Sequence, residues 1–142
     1  MITLTSIKII NKTVDCEDFL KLAKEAADCA SVSKINPTQI RSIQNVVNST
    51  QRFSEVLNFI KSQTGRHKEW KQLGPKLVAV MEKIDKLSDG ILQEIEKKLK
   101  EKKESQSKEE IPAKGEIRLA LCRHWVKIFV AEFLYTNPKK EN

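Results

Sequence analysis

The sequence has few of the residues that break helices, with only four glycines and four prolines among 142 residues. A shortage of turn formers, beside abundant Lys, Glu, Leu and Ile, suits helices joined by short loops. A chain of this length usually forms one domain around one core. We therefore expect an all-α protein, a single-domain helical bundle of about five helices that occupies residues 1–142.

Cysteine and histidine are also scarce, and their positions argue against several kinds of site. Cys16, Cys29 and Cys122 are widely spaced and form no Cys-x-x-Cys pair, so we interpret them as small buried apolar residues of a reduced cytosol rather than disulfide or metal ligands. The two histidines, His67 and His124, lie in no familiar catalytic motif. The sequence also lacks a Gly-rich phosphate loop and a His-Glu-x-x-His motif. We expect no catalytic residue, no metal and no cofactor, and hence a protein that binds rather than an enzyme.

Signals for secretion or membrane insertion are weak. The N-terminus has no basic region followed by a long apolar run and a cleavage site, which a secretory signal requires. The apolar segment near the C-terminus is long enough to span a bilayer, but five ionisable residues interrupt it, and each would cost roughly 2.5 to 3.5 kcal/mol at bilayer depth. These residues are Arg118, Arg123, His124, Lys127 and Glu132. We expect a cytoplasmic protein without a membrane partner.

The clearest local signal is a helix start at Asn36. Asn36 suits the N-cap, Pro37 suits the first helical position, and Gln39 follows three residues after the cap, a combination typical of a helix N-terminus. The apolar stripe of this helix changes face after Val47, which predicts a break or kink near residues 48–50.

The other elements follow from periodicity and charge. Residues 1–14 are rich in Ile, Thr and Val, and we treat them as an N-terminal arm; Asp15 then caps a helix to about residue 31. Pro75 lies in the first turn of one long helix or of two. Residues 96–115 mix Lys and Glu and predict a charged linker or insertion. The last helix, 114–135, is apolar around most of its circumference, and we expect it to be central to the bundle.

Basic residues dominate one segment of a chain whose formal net charge is +7. Between residues 61 and 76, only Glu69 opposes the positive charge, and His67 and Trp70 are interleaved with the cations. Such a segment can neutralise phosphates while His67 or Trp70 stacks on an unpaired base. The alternative is a solvated loop in which Trp70 anchors the core. The cations are Lys61, Arg66, Lys68, Lys71 and Lys76.

Two further helices carry candidate phosphate contacts. Arg41 belongs to a polar stripe at positions i, i+3, i+7 and i+10 of the helix that starts at Asn36, and this stripe either follows a sugar-phosphate backbone or is an ordinary wet face. Arg123 and Lys127, at i and i+4 of the last helix, form either its solvent edge or a second phosphate contact. The other members of the first stripe are Thr38, Asn45 and Asn48.

Three segments together resemble a known family. Ile35-Asn36-Pro37-Thr38-Gln39-Ile40-Arg41-Ser42-Ile43, Leu73-Gly74-Pro75-Lys76-Leu77 and Trp125-Val126-Lys127-Ile128-Phe129-Val130-Ala131-Glu132-Phe133 occur in this order. The order and spacing over residues 35–135 resemble the small helical subunit of the type III-A (Csm) CRISPR interference complex. Arg41 matches the arginine of the family's first motif, whereas Val78 to Lys83 replace the Gly-Arg ending that usually follows Pro-Lys-Leu.

The resemblance implies a noncatalytic subunit that is repeated along an RNA-guided effector. Its partners would be the guide RNA, the target RNA, other subunits of the effector and further copies of itself. The composition leaves two other functions open. One is a helix-turn-helix DNA-binding protein that uses residues 37–47 as its recognition helix and binds as a dimer. The other is a helical protein-protein interaction module that uses its apolar final helix as the interface.

Overall fold

The computed structural model describes residues 4–101 and 111–137, and all regular structure in these ranges is helical. The expected all-α class is therefore confirmed. These ranges contain six α-helices rather than about five, together with one short 3₁₀ helix at Lys68–Trp70. The α-helices are α1 Leu4–Val14, α2 Glu17–Val32, α3 Pro37–Ser49, α4 Phe53–Arg66, α5 Leu73–Glu101 and α6 Lys114–Thr136.

The additional helix is α1, which replaces most of the expected N-terminal arm. Ser6, Ile9, Ile10 and Val14 are buried, a spacing of three to four residues that places them on one helical face. Through this face α1 packs against α2, α5 and α6. Packing outweighs the preference of Ile, Thr and Val for extended structure.

The start of α2 also differs from the expectation. Asp15 lies in the turn after α1, where its N–H donates to the carbonyl of Asn11 at 3.0 Å. Cys16 occupies the N-cap position without a side-chain cap hydrogen bond. Glu17 and Asp18 lie in the first turn of α2, where negative charge is favourable beside the positive end of the helix dipole.

The predicted start of α3 is confirmed in its atomic detail. The N–H of Thr38 donates to Oδ1 of Asn36 at 2.7 Å, and the N–H of Asn36 donates to Oε1 of Gln39 at 3.3 Å. Pro37 is the first helical residue. The expected break is also present, because α3 ends at Ser49 and α4 begins at Phe53.

The long helix α5 settles a question that periodicity left open, since Leu73–Glu101 forms one helix rather than two. Its N-terminal part packs against α4 so closely that a Cβ on Gly74 would collide with the Thr64 side chain. Residues 96–101, expected to begin a linker, continue α5, and residue 114 already belongs to α6. The centre of that expected linker, residues 102–110, lies outside the described residues.

Helix α6 contacts all five other α-helices. Its ring pair, Trp125 and Phe129, is stacked with centroids 5.3 Å apart and planes 10° from parallel. Within the described ranges, none of the helices has the length and apolar character needed to cross a membrane. The buried residues of α6 are Ile117, Leu119, Leu121, Cys122, Trp125, Val126, Phe129, Val130 and Phe133.

Candidate nucleic-acid interface

Five cations surround the connection between α4 and α5, and we call this set the basic turn. α4 ends at Arg66, the 3₁₀ helix follows, and α5 begins at Leu73. All five side chains are exposed. Among residues 4–101 and 111–137, none of them forms an ion pair with a carboxylate. The set consists of Lys61, Arg66, Lys68, Lys71 and Lys76.

The basic turn is attached to the core by Trp70, whose exposed fraction is 0%. The backbone N–H of Trp70 donates to the carbonyl of His67 at 3.0 Å, and the backbone N–H of Lys71 donates to the carbonyl of Lys68 at 3.1 Å. Leu73, three residues after Trp70, is also fully buried. Trp70 therefore anchors the core, as the alternative interpretation held, and its ring is inaccessible to a base.

His67 and Glu69 face each other within this connection. Nδ1 of His67 lies 3.5 Å from Oε1 of Glu69, and each side chain is 38% exposed. The one carboxylate of residues 61–76 thus lies beside the histidine. His67 remains partly accessible to a ligand.

Two shallow grooves flank α5 next to the basic turn. Lys61 lines the groove between α4 and α5, which has a volume of about 320 Å³. Lys76 and Lys83 line the groove between α2 and α5, which has a volume of about 280 Å³. Ala79 of α5 lines both grooves. One groove lies on the α4 side of α5 and contains Lys61, and the other lies on the α2 side and contains Lys76. Each groove also contains one carboxylate, Glu82 or Glu25.

Lys83 extends the set of candidates beyond those found in the sequence. It lies seven residues after Lys76, two helical turns along the same face of α5. The spacing of Lys76, Ala79 and Lys83 on one face of a helix was the signal that the sequence offered for Lys83. Only the position of α2 shows that this face borders a groove.

The polar stripe on α3 faces solvent. Arg41 and the other three members of the stripe are exposed, while Ile40, Ile43 and Val47 are buried on the opposite side. Arg41 lines neither of the grooves beside α5. It is therefore accessible but belongs to a surface separate from those grooves.

Arg123 has a structural role that the sequence did not reveal. Its Nε–H donates to the carbonyl of Val47 at 3.0 Å, and an Nη2–H donates to the carbonyl of Thr50 at 2.9 Å. The guanidinium thereby fixes the end of α3 and the connection to α4 onto α6. Lys127, one turn further along α6, is exposed and has no such bonds among the described residues.

A third cavity, larger than either groove, lies between α4, α5 and α6, and we call it the Arg118 cavity. Its volume is about 700 Å³. The guanidinium carbon of Arg118 lies 5.0 Å from the centroid of the Phe53 ring, and Nη1 donates to Oδ1 of Asp85 at 3.1 Å. The lining residues are Gln51, Arg52, Phe53, Ser54, Leu57, Met81, Glu82, Asp85, Lys86, Gly115 and Arg118.

Asp85 and Arg118, which line the Arg118 cavity, form a charged cluster with Lys114 and Asp89. Nζ of Lys114 lies 3.3 Å from Oδ1 of Asp85 and 2.8 Å from Oδ1 of Asp89. Burial alone would raise the pKa of Asp85, but hydrogen bonds from Arg118 and Lys114 outweigh it and hold that pKa below its ordinary value. The hydrogen bond to Asp89 raises the pKa of Lys114. Asp85 and Lys114 are therefore both charged near neutral pH.

Among residues 4–101 and 111–137, no three His, Cys, Asp or Glu side chains are arranged to hold a metal ion. Burial raises the pKa of the Cys122 thiol to about 12, although the nearby Arg123 acts in the opposite direction, so this thiol is protonated at neutral pH.

No protein-family model, curated protein or solved structure matches this chain.

Proposed function

We propose that this chain is a noncatalytic small subunit of a type III CRISPR RNA-guided effector complex and that it binds the backbone of guide and target RNA without sequence preference. The observation that carries the proposal is the basic turn. Its five cations are exposed and form no ion pair within the described ranges. They are therefore available to neutralise phosphates.

The chemistry of these side chains favours contacts to the backbone over contacts to base edges. Lysine ammonium groups on flexible stems interact with phosphates as point charges. Such contacts fix the position of a strand but carry no sequence information. Because Trp70 is buried, His67 is the one ring within residues 61–76 that remains available for stacking.

Arg41 and Lys127 complete the proposed set of RNA contacts. Both are exposed, and Arg41 matches the arginine of the family motif that the sequence resembles. Arg123 is left out of the set because its guanidinium already donates to two carbonyl groups.

Exposed apolar residues support contacts with other subunits and further copies of the chain. Val32 and Tyr135 are each 83% exposed. They lie at the same end of the molecule, because the side-chain amide of Asn137, just after α6, donates to Oγ of Ser31 in the last turn of α2. We propose this end as a contact with a neighbouring subunit.

Two charge-reversal variants, one at the basic turn and one elsewhere, test RNA binding. The triple variant Lys61→Glu, Lys68→Glu, Lys71→Glu should lower the affinity for single-stranded RNA by about tenfold or more, because three phosphate contacts are lost. Its control, Lys8→Glu, Lys12→Glu, Lys24→Glu, makes the same charge change at exposed lysines of α1 and α2. The control should stay within about threefold of wild type. Circular dichroism should show equal helicity for both variants.

The nucleic-acid ligand distinguishes this proposal from the helix-turn-helix function. We expect binding to RNAs of unrelated sequence with similar affinity. Selection of one enriched DNA duplex, with loss of binding on Arg41→Ala and Asn45→Ala, would instead support a recognition role for α3. Equal RNA affinity of the two charge-reversal variants would contradict the proposal that the basic turn binds RNA. Copurification from the native cell, followed by sequencing of bound RNA, should return short repeat-derived guides.

A further inference from the structure

We infer that the Arg118 cavity binds one unpaired nucleotide, with its base against the guanidinium of Arg118 and its phosphate beside Arg52 and Lys86. For an RNA strand as the source of the nucleotide, this inference rests on the proposed function and deepens it. The chemistry is the same for a free nucleoside monophosphate, and the experiment separates the two sources.

The proposed position of the base follows from the contacts of Arg118. Its guanidinium carbon lies over the Phe53 ring, and Nη1 donates to Oδ1 of Asp85. The side chain is nevertheless 32% exposed and lines the cavity. A partly exposed guanidinium in a cavity can stack with another planar group, and bases stack on arginine in this manner.

The size and polarity of the cavity agree with a nucleotide. Its volume of about 700 Å³ lies in the range of small-molecule sites, roughly 300 to 1,000 Å³. Leu57, which is half-buried, supplies apolar surface beside Phe53. The carboxylate of Glu82 and the hydroxyl of Ser54 supply acceptors for the amino groups of a base.

The proposed position of the phosphate follows from the charged residues that line the cavity. Three cations, Arg52, Lys86 and Arg118, face two carboxylates, Glu82 and Asp85. Asp85 already receives ion pairs from Arg118 and Lys114. Arg52 and Lys86 are exposed and have no ion pair among the described residues, so they remain available for an anion.

Glycine positions provide a matched pair of variants. Gly115 lines the cavity, and a Cβ added there meets no atom within 4 Å. Gly90 on α5 has the same free space, is exposed and does not line the cavity. Both glycines are helical with negative φ. Gly115→Leu therefore adds a side chain to the cavity wall, while Gly90→Leu makes the same change elsewhere.

The first experiment titrates the protein with AMP and follows the backbone amide resonances by NMR. We expect AMP to shift residues 52–54, 86 and 115–118, and adenosine or ribose 5-phosphate alone to bind at least about tenfold more weakly, since each fills half of the site. Gly115→Leu should weaken AMP binding by about tenfold or more, and Gly90→Leu should leave it within about twofold. A folded Gly115→Leu variant with wild-type AMP affinity would overturn the inference, as would the absence of shifts at these residues.

A second variant covers the case in which Gly115→Leu does not fold. Lys86→Glu changes an exposed residue of the lining, and Lys97→Glu is its exposed control on the same helix. We expect AMP affinity to fall only in Lys86→Glu. Equal affinities in these two variants would also overturn the inference.

The source of the nucleotide is decided with a single-stranded RNA of about ten nucleotides. If the strand supplies it, Gly115→Leu lowers the affinity for this RNA as well as for AMP. If a free nucleotide is the ligand, only AMP binding falls. Failure of the proposed function gives a different result, in which the RNA does not bind while AMP still does.

Discussion

Arg123 and Lys127 stand four residues apart on α6 and differ in what their side chains contact. The guanidinium of Arg123 bonds to two carbonyl groups near the end of α3, where a helix leaves acceptors without intrahelical partners. The ammonium of Lys127 is exposed. Two cations of equal formal charge therefore contribute differently, one to the fold and one to the surface.

The first prediction concerns this difference. Arg123→Ala should lower the free energy of unfolding by about 1–3 kcal/mol, because two partly buried carbonyl groups lose their donor. Lys127→Ala should change it by no more than about 0.5 kcal/mol. Urea denaturation followed by circular dichroism measures both values, and equal stabilities would contradict the role assigned to Arg123.

The second prediction concerns the thiols. Cys122 is buried as expected, with its Sγ 3.5 Å from Sδ of Met81. However, Cys29 is only partly buried, and Cys16 is exposed because it lies in the turn between α1 and α2. A thiol reagent at neutral pH should modify Cys16 in the folded protein and Cys122 only after unfolding, because the protonated, buried thiol is a poor nucleophile. Mass spectrometry of peptides from labelled protein locates the modified residues.

The pH dependence of stability follows from the same thiol. Its pKa is raised from 9.0 to about 12 in the folded state, so the unfolded chain releases this proton first as the pH rises. The stability that the buried thiol contributes is complete below about pH 9 and is lost as the pH rises toward 12. The difference in unfolding free energy between wild type and Cys122→Ala should shrink over this window. A constant difference would show that the thiol does not titrate differently on unfolding.

Among the elements, the α4–α5 pair determines the shape of the basic turn. The Thr64 side chain fills the space beside Gly74, and its hydroxyl donates to the carbonyl of Ile60 at 2.7 Å. A residue with a side chain at position 74 would push the two helices apart. This contact fixes where Lys61 and Lys76 emerge on either side of α5.

The third prediction tests this contact with two glycines of the same helix. Gly74→Ala should destabilise the protein by about 1–3 kcal/mol, because the added methyl group overlaps Thr64. Gly90→Ala should stabilise it by about 0.5–1 kcal/mol, since alanine favours the helix and the space is open. Thermal and urea denaturation of both variants give the sign of each change.

At the scale of the whole molecule, the helices bury an apolar core and leave most of the positive charge at the surface. The formal net charge is +7. The salt bridges of the described residues gather at the α5–α6 contact, with the pairs His67–Glu69 and Lys98–Glu94 elsewhere. The basic turn takes part in none of them, so its charge is directed at solvent or at a partner.

The fourth prediction is a steep dependence of RNA affinity on salt. Each phosphate contact with a single strand contributes about −0.7 to the slope of log affinity against log salt concentration, so the five cations of the basic turn alone give about −3.5. The Lys61→Glu, Lys68→Glu, Lys71→Glu variant should show a shallower slope. Affinity that survives high salt would instead favour an interaction module held by apolar contacts.

The sequence by itself determined the features whose causes lie within a few residues. The capping box of α3 joins Asn36 to Thr38 and Gln39, and the break after α3 follows from a change of apolar face. Exposure of the basic turn also followed from charge, because isolated cations stay in water.

Tertiary structure alone decided the features that join distant segments. Arg123 reaches a carbonyl 76 residues away, and Arg118 reaches a carboxylate 33 residues away. α1 is a helix because its apolar stripe packs against α2, α5 and α6, whereas its composition alone suggested an arm. Local patterns report capping and periodicity, but they carry no information about which distant backbone or ring a side chain will contact.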